Sequence, residues 1–163
     1  MNKKTLIIVL VILVLASAGA VFYFIGKNTI NPLSEKTTIK AYFNNNKLDP
    51  EISCNKVFPV EREVPKTQAV GRAALEKLLK GPSEPEKEMG FFTSINTEVK
   101  IQKLVIEDGV AKVDFDERLD FQVGGSCRVS AIRAQITETL KQFPTVNSVI
   151  ISINGRTEDI LQP

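Results

Sequence analysis

Apolar residues in this chain recur in three distinct ways. From Leu6 to Ile25 they form a run of 20 residues without a charge. A helix of that length spans about 30 Å, the thickness of bilayer hydrocarbon. Lys3 and Lys4 precede the run and Lys27 follows it, with Phe22, Tyr23 and Phe24 at its far end. Interfacial aromatics gather at that depth, and the flanking lysines favour a cytoplasmic N-terminus. Residues 1–27 are therefore expected to be a cytoplasmic tip and transmembrane anchor, with the rest of the chain outside the cytoplasm. The alternative is a cleaved signal peptide and secretion, because Ala16-Ser17-Ala18 and Ala18-Gly19-Ala20 both have the small-residue cleavage pattern. Against cleavage, the apolar run continues beyond those sites, whereas ordinary signal cores run to about 7–15 residues. Residues 28–36 read as a polar linker.

Beyond the linker the period changes. Residues 37–43 mix β-branched and aromatic positions in partial alternation, which predicts a strand. Asn44 to Pro50 is a turn cluster, and residues 57–64 read as a second strand in which Pro59 implies an edge or a bulge. At 67–80 the spacing becomes helical: Val70, Ala74 and Leu78 recur every four residues, with Ala73 and Leu75 widening the stripe. Thr67 is placed to cap this helix, and Gly81-Pro82 stops it. The polar stretch that follows predicts one helical turn near Glu84 to Met89. Its Phe91-Phe92 pair reads either as an exposed partner patch or as a loop clamped to the core.

A tight hairpin is predicted for residues 99–115, where two strands flank Asp108-Gly109, the pair favoured by type I′ turns. A second helix is predicted at 127–143 from Val129, Ile132, Ile136, Leu140 and Phe143, one stripe ended by Pro144. Residues 148–154 close the pattern. Val149, Ile150, Ile151 and Ile153 are nearly continuous, as in a central strand covered on both faces. The order β-β-α-β-β-α-β gives an α+β domain over residues 37–163, with two helices packed on one face of a small mixed sheet.

Composition narrows the chemistry. The 163 residues hold 25% charged and 43% hydrophobic side chains, a globular balance. There is no histidine, which excludes Ser-His-Asp and Cys-His catalysis and imidazole zinc sites. Setting aside Lys3, Lys4 and Lys27, the exported part carries 18 basic against 19 acidic residues, so no basic nucleic-acid patch is expected. No cofactor and no metal site are expected either.

Four features could carry function. Cys54 and Cys127 read as a disulfide, because two cysteines outside the cytoplasm normally pair; two free thiols, or a Cys127 nucleophile at a helix start, are the alternatives. Asp114, Asp116, Glu117 and nearby Asp120 read as a solvated strand end or as a divalent-cation or acid/base cluster. Gly124, Gly125 and Ser126 precede a helix and could cradle a ligand on free N–H groups; a plain Gly-Gly turn capped by Ser126 explains them as well. Arg128 joins them as a possible ligand or partner contact, although Arg128 and Arg133 also read as solvated helix face.

Taken together, VFPVEREVP, AALEKLLKGP, IEDGVAKVDF and above all ITETLKQFPTVNSVIISING resemble the sporulation and spore germination domain family, the GerMN or germane domain. The resemblance implies a compact α+β domain of envelope proteins, related in shape to ring-building motifs of secretion machinery and not known for catalysis. Sporulation members carry tandem copies and a lipid anchor, whereas this sequence has one copy behind a helical anchor. The expected function is that of a membrane-anchored extracytoplasmic interaction module that contacts other envelope proteins or itself. A binding module for cell-wall glycan or a small ligand is the alternative, and a carboxylate-dependent enzyme a remoter one.

Overall fold

The computed structural model describes Asn2 and residues 35–51 and 53–162. The apolar run from Leu6 to Ile25 lies outside the described residues. Among those that are described, no helix is long and apolar enough to cross a membrane. The chain divides into Met1–Glu35 and Lys36–Pro163, and the second unit holds every element below.

The elements follow in order as β1 (Lys36–Asn45), β2 (Phe58–Pro65), α1 (Val70–Leu79), α2 (Glu84–Glu88), β3 (Phe91–Phe92), β4 (Ile101–Glu107), β5 (Val110–Phe115), a 3-10 turn (Glu117–Leu119), α3 (Ser126–Lys141) and β6 (Ser148–Ile153). The α+β class stands, but the single sheet does not. The strands form two three-stranded sheets, β2-β1-β3 and β4-β5-β6. The first is antiparallel throughout, while the second pairs β4 with β5 antiparallel and β5 with β6 in parallel, so α3 is the crossover of a β5-α3-β6 unit.

The reason for two sheets lies on α3. Beside its apolar stripe the helix carries a second, polar row at Gln135, Thr139 and Gln142. Gln142 Oε1 accepts from the Lys40 amide at 2.7 Å, Gln142 Nε2 donates to the Lys40 carbonyl at 2.6 Å, and Thr139 Oγ1 accepts from the Tyr42 amide at 3.1 Å. These side chains satisfy the edge of β1 that faces away from β2. An edge capped in this way cannot take up a strand of the second sheet.

The apolar stripe of α3 meets the core, where Ile132, Ile136 and Leu140 are fully buried with Phe43, Leu75, Leu78, Phe115, Leu119 and Ile153. Ile39, Val64 and Ala74 form a smaller cluster, edged by Val70, Ala73 and Phe143. The second departure concerns β6, expected as a central strand. It is the edge of its sheet, with Ile151 and Ile153 buried but Ile150 43% exposed. A continuous apolar run does not distinguish a strand covered on both faces from one buried on a single face.

Local signals behave as their chemistry dictates. Asp108 and Gly109 both have positive φ, 51° and 79°, as a type I′ turn needs. Gly81 takes the left-handed conformation just beyond α1, at φ 74°. Pro59 lies in β2, an edge strand, opposite Tyr42. Thr67 does not cap α1: its hydroxyl accepts from the Ala69 amide, and the helix begins at Val70. Phe91-Phe92 forms the two-residue strand β3, with Phe91 packed on the core and Phe92 38% exposed.

Candidate functional site

The end of the domain that receives Cys54 and Cys127 is built from β1 outward. At Asn44 and Asn45 the chain leaves the strand, and both asparagines are buried. Asn44 Nδ2 donates to the Cys54 and Lys56 carbonyls, each at 3.0 Å, which folds residues 46–57 back over the strand end. Asn44 Oδ1 accepts from Gln135 Nε2 at 2.6 Å, and Gln135 Oε1 accepts from Thr93 Oγ1 at 2.8 Å. Asn45 Oδ1 accepts the Lys47 and Leu48 amides, while its Nδ2 reaches the Met89 carbonyl. Inside the returning loop, Asp49 accepts from the Ser53 amide and hydroxyl. The hydrogen bond from the Ser53 amide chiefly holds the Asp49 carboxyl below its ordinary range, with help from the Ser53 hydroxyl and the Lys56 ammonium.

This framework brings Cys54 onto the second residue of α3. Cys54 and Cys127 form a disulfide with their Cα atoms 5.0 Å apart, tying positions 73 residues distant. Neither sulfur is a free nucleophile. The bond fastens the β1–β2 connection to the start of α3, with Cys127 exposed and Cys54 half-buried.

The neighbouring residues divide by role. Gly125, at φ 84°, occupies the position before α3, and Ser126 is the first helical residue, so Ser126 is not the cap. Gly124 and Gly125 stand in open space. Arg128 is engaged within the fold: its guanidinium donates to the Ser94 carbonyl, the Gln122 carbonyl and Asn96 Oδ1, the last at 2.7 Å. It therefore clamps two loops instead of lying on a solvated helix face. Arg133 similarly donates to the Ile160 carbonyl at 3.0 Å. The four residues Gly124, Gly125, Ser126 and Arg128 adjoin in sequence, but the arginine is engaged within the fold.

The acidic cluster disperses in the same way. Asp114 Oδ1 accepts from the Ser152 hydroxyl at 2.6 Å and the Gly155 amide at 2.8 Å. Asp116 Oδ1 accepts the Lys100 amide, and Asp120 Oδ1 accepts the Leu161 amide. Asn154 Nδ2 donates to Glu117, chiefly lowering that carboxyl's pKa. Each carboxylate fastens a backbone or turn, and among the described residues no three His, Cys, Asp or Glu converge in a way that could hold a metal ion.

The exposed large apolar side chains include Leu48, Met89 and Phe92, around the end of β1 and β3, and Ile150 on β6. An apolar groove of ≈ 630 Å³ opens between the start of α1, strand β4 and the turn after α3, lined by Val70, Gly71, Leu104, Ile106, Phe143 and Pro144 among others.

A two-sheet domain crossed by α3, strapped by one disulfide and holding its acids in backbone contacts, has relatives. The Germane family, described as sporulation and spore germination, matches residues 40–159. The chain belongs to this family. The spore germination protein GerM of Bacillus subtilis is 33% identical over 89 residues, which is 53% of this chain and 24% of GerM. The chain thus spans about a quarter of that relative. The tandem GerMN domains of B. subtilis GerM superpose with a TM-score of 0.54 at 18% identity, over 76% of this chain and 41% of that one. The first GerMN domain alone gives 0.54 at 21% identity, over 74% and 85%. A candidate lipoprotein of Clostridium perfringens gives 0.50 at 18% identity, over 83% and 86%. These solved structures share the Germane fold with this chain.

Sequence reasoning missed the buried amide of Gln135 and the C-terminal tail. Gln135, Thr139 and Gln142 repeat at spacings of four and three, a helical stripe visible in the sequence but polar. Ile160 and Leu161, 3% and 2% exposed, extend the core beyond the last strand. Two isolated apolar residues after a turn carry no periodic signal.

Proposed function

We propose that this protein is a membrane-anchored Germane domain, displayed outside the cytoplasm, that holds envelope proteins together during spore formation or germination. The observation that carries this reading is the division of labour among side chains. Asp114, Asp116, Asp120 and Arg128, the residues with the most chemical potential, hold the fold's own backbone or loops. Leu48, Met89, Phe92 and Ile150 stand in solvent instead. Apolar groups displayed on a rigid scaffold suit adhesion. The Cys54–Cys127 bond suits an oxidising compartment, and the uncharged run from Leu6 to Ile25 suits an anchor.

The test is chemical cross-linking of the full chain in its native membrane, followed by identification of what is joined to it. Defined covalent products are expected. Recovery of monomer alone would oppose the reading. Topology is checked separately: a tag after Pro163 is expected to be cut by protease added to intact spheroplasts, and protection until lysis would reverse the orientation.

A further inference from the structure

The strand edges of this domain are defended to very different degrees. Natural sheets blunt their edges with proline, charge, bulges, shortness or a cover, because a bare edge templates pairing with another strand. The outer edge of β2 carries Pro59 and the charged series Glu61, Arg62, Glu63. The free edge of β1 is capped by Thr139 and Gln142. Strand β3 is two residues long. Strand β4 shifts register between Ile101 and Lys103, and Arg72 Nη2 donates to the Ile101 carbonyl at 2.9 Å. Strand β6, SVIISI, has none of these devices before its last residue, Ile153, which Arg156 covers. It has no charge and no proline, keeps unbroken register with β5 through six pairs, and among the described residues its outer side is met only at Ile153, by Arg156.

The hydrogen bonds fix which groups face outward. The Ser148 amide donates to the Gly109 carbonyl and the Asn154 amide to the Phe115 carbonyl. In a parallel ladder alternate residues of a strand address a given neighbour, so the even-numbered residues face β5. The N–H and C=O groups of Val149, Ile151 and Ile153 point away from it. Ile153 exchanges both of its groups with Arg156, at 2.9 and 3.0 Å. Among the described residues the outward groups of Val149 and Ile151 have no backbone partner, and they are placed symmetrically about Ile150, the exposed isoleucine of β6.

We propose that β6 is a self-pairing edge: a second copy of this chain adds its own β6 antiparallel across a two-fold axis at Ile150. The proposal rests on reading the domain as an interaction module and names one partner for it. In that register Val149 and Ile151 form the hydrogen-bonded pairs. Ile150 meets Ile150 of the partner subunit as a non-hydrogen-bonded pair, with Cα atoms about 4.5 Å apart. A two-fold contact sets each residue near its own counterpart, so any charge close to the axis would meet a like charge. Strand β6 has none. The nearest charge in register is Lys112, beside Ile150 on β5. The two copies of Lys112 would lie three strand spacings apart, about 14 Å, beyond the screening length of about 8 Å at physiological salt.

The test is an Ile150→Cys variant of the full chain, in membranes, with the Cys54–Cys127 bond already formed and a mild oxidant added. A reductant-sensitive dimer on a non-reducing gel is expected, because the paired Cα separation lies within disulfide reach. Lys112→Cys on the neighbouring strand is expected to stay monomeric. A monomeric Ile150→Cys, or equal dimer from Lys112→Cys, overturns the proposal. In detergent solution Ile150→Lys is expected to abolish the parent's dimer in sedimentation while keeping its unfolding midpoint; a surviving dimer also overturns it. If Ile150→Cys stays monomeric while cross-linking still joins the chain to another envelope protein, self-pairing falls and the interaction reading stands. If neither occurs, both fall.

Discussion

Gln135 Nε2 donates to Asn44 Oδ1 across 2.6 Å, joining the middle of α3 to the end of β1 inside the core. Through Thr93 Oγ1 and the Cys54 and Lys56 carbonyls, this one contact gathers four separate parts of the chain. Gln135 is fully buried, so no water replaces its amide if it is removed. Gln135→Met, similar in shape, strands the Asn44 carbonyl oxygen. It is expected to lower stability by about 1–3 kcal/mol, the cost of an unsatisfied buried polar group. The measurement is the urea midpoint at unchanged slope; a midpoint equal to the parent's would show that the network contributes nothing net.

The disulfide closes a loop spanning 73 positions. Replacing both Cys54 and Cys127 by serine is expected to cost roughly 4 kcal/mol by the chain-entropy relation. Residues 46–57 should then become the first site of limited proteolysis within the domain. If cleavage begins elsewhere, the bond does not govern that loop.

Gly90 adopts φ +95°, and a Cβ placed on it would lie 2.6 Å from Asn46 Oδ1, 2.8 Å from Lys47 Cγ and 2.9 Å from Asn45 Oδ1. Gly90→Ala therefore combines left-handed strain with a clash against the asparagine turn, and a loss of about 1–3 kcal/mol is expected. Gly124 has open space around it. Gly124→Ala should leave stability within about 0.5 kcal/mol, as for ordinary surface changes. Thermal unfolding of the two variants side by side provides the comparison, and equal losses would contradict it.

Acid should loosen the packing of α2 on β2. Arg62 donates through both terminal nitrogens to the Glu86 carboxylate, each at 2.6 Å, and the Ser83 amide donates to the same group at 2.8 Å. The Arg62 hydrogen bonds chiefly hold the Glu86 pKa below its ordinary value of 4.5. A depressed carboxylate stabilises the fold above its unfolded pKa, and that contribution is lost as pH falls through the folded value. The parent should therefore weaken below about pH 4.5, and Glu86→Gln should weaken less steeply over that window. Equal slopes in unfolding measured against pH would rule out Glu86 as the source.

Much of the domain was legible in the sequence because its signals are local. Asp108-Gly109 specifies its turn through the positive φ both residues adopt. Gly81-Pro82 ends α1, and the stripe from Val129 to Leu140 marks the buried face of α3. The candidate site was less legible. Asp114, Asp116 and Asp120 look like one acidic cluster in sequence, yet each carboxylate meets a backbone amide from a different segment: Gly155, Lys100 and Leu161. Arg128 has the helical spacing of a surface residue, but its guanidinium reaches loops 94–96 and 122.

The sequence by itself determined the order of the strands and helices apart from the short strand β3, the Asp108-Gly109 turn, the family, and the expectation that the two cysteines would pair. These follow from side-chain periodicity, backbone preference and composition, which act over a few residues or over the chain as a whole. Tertiary structure alone decided that there are two sheets, that β6 is an edge, and that the polar row of α3 closes β1. Such outcomes depend on which hydrogen-bonding groups remain unpaired once the elements have packed. No window of sequence contains that information, because donor and acceptor lie 97 residues apart at Tyr42 and Thr139, and 91 apart at Asn44 and Gln135.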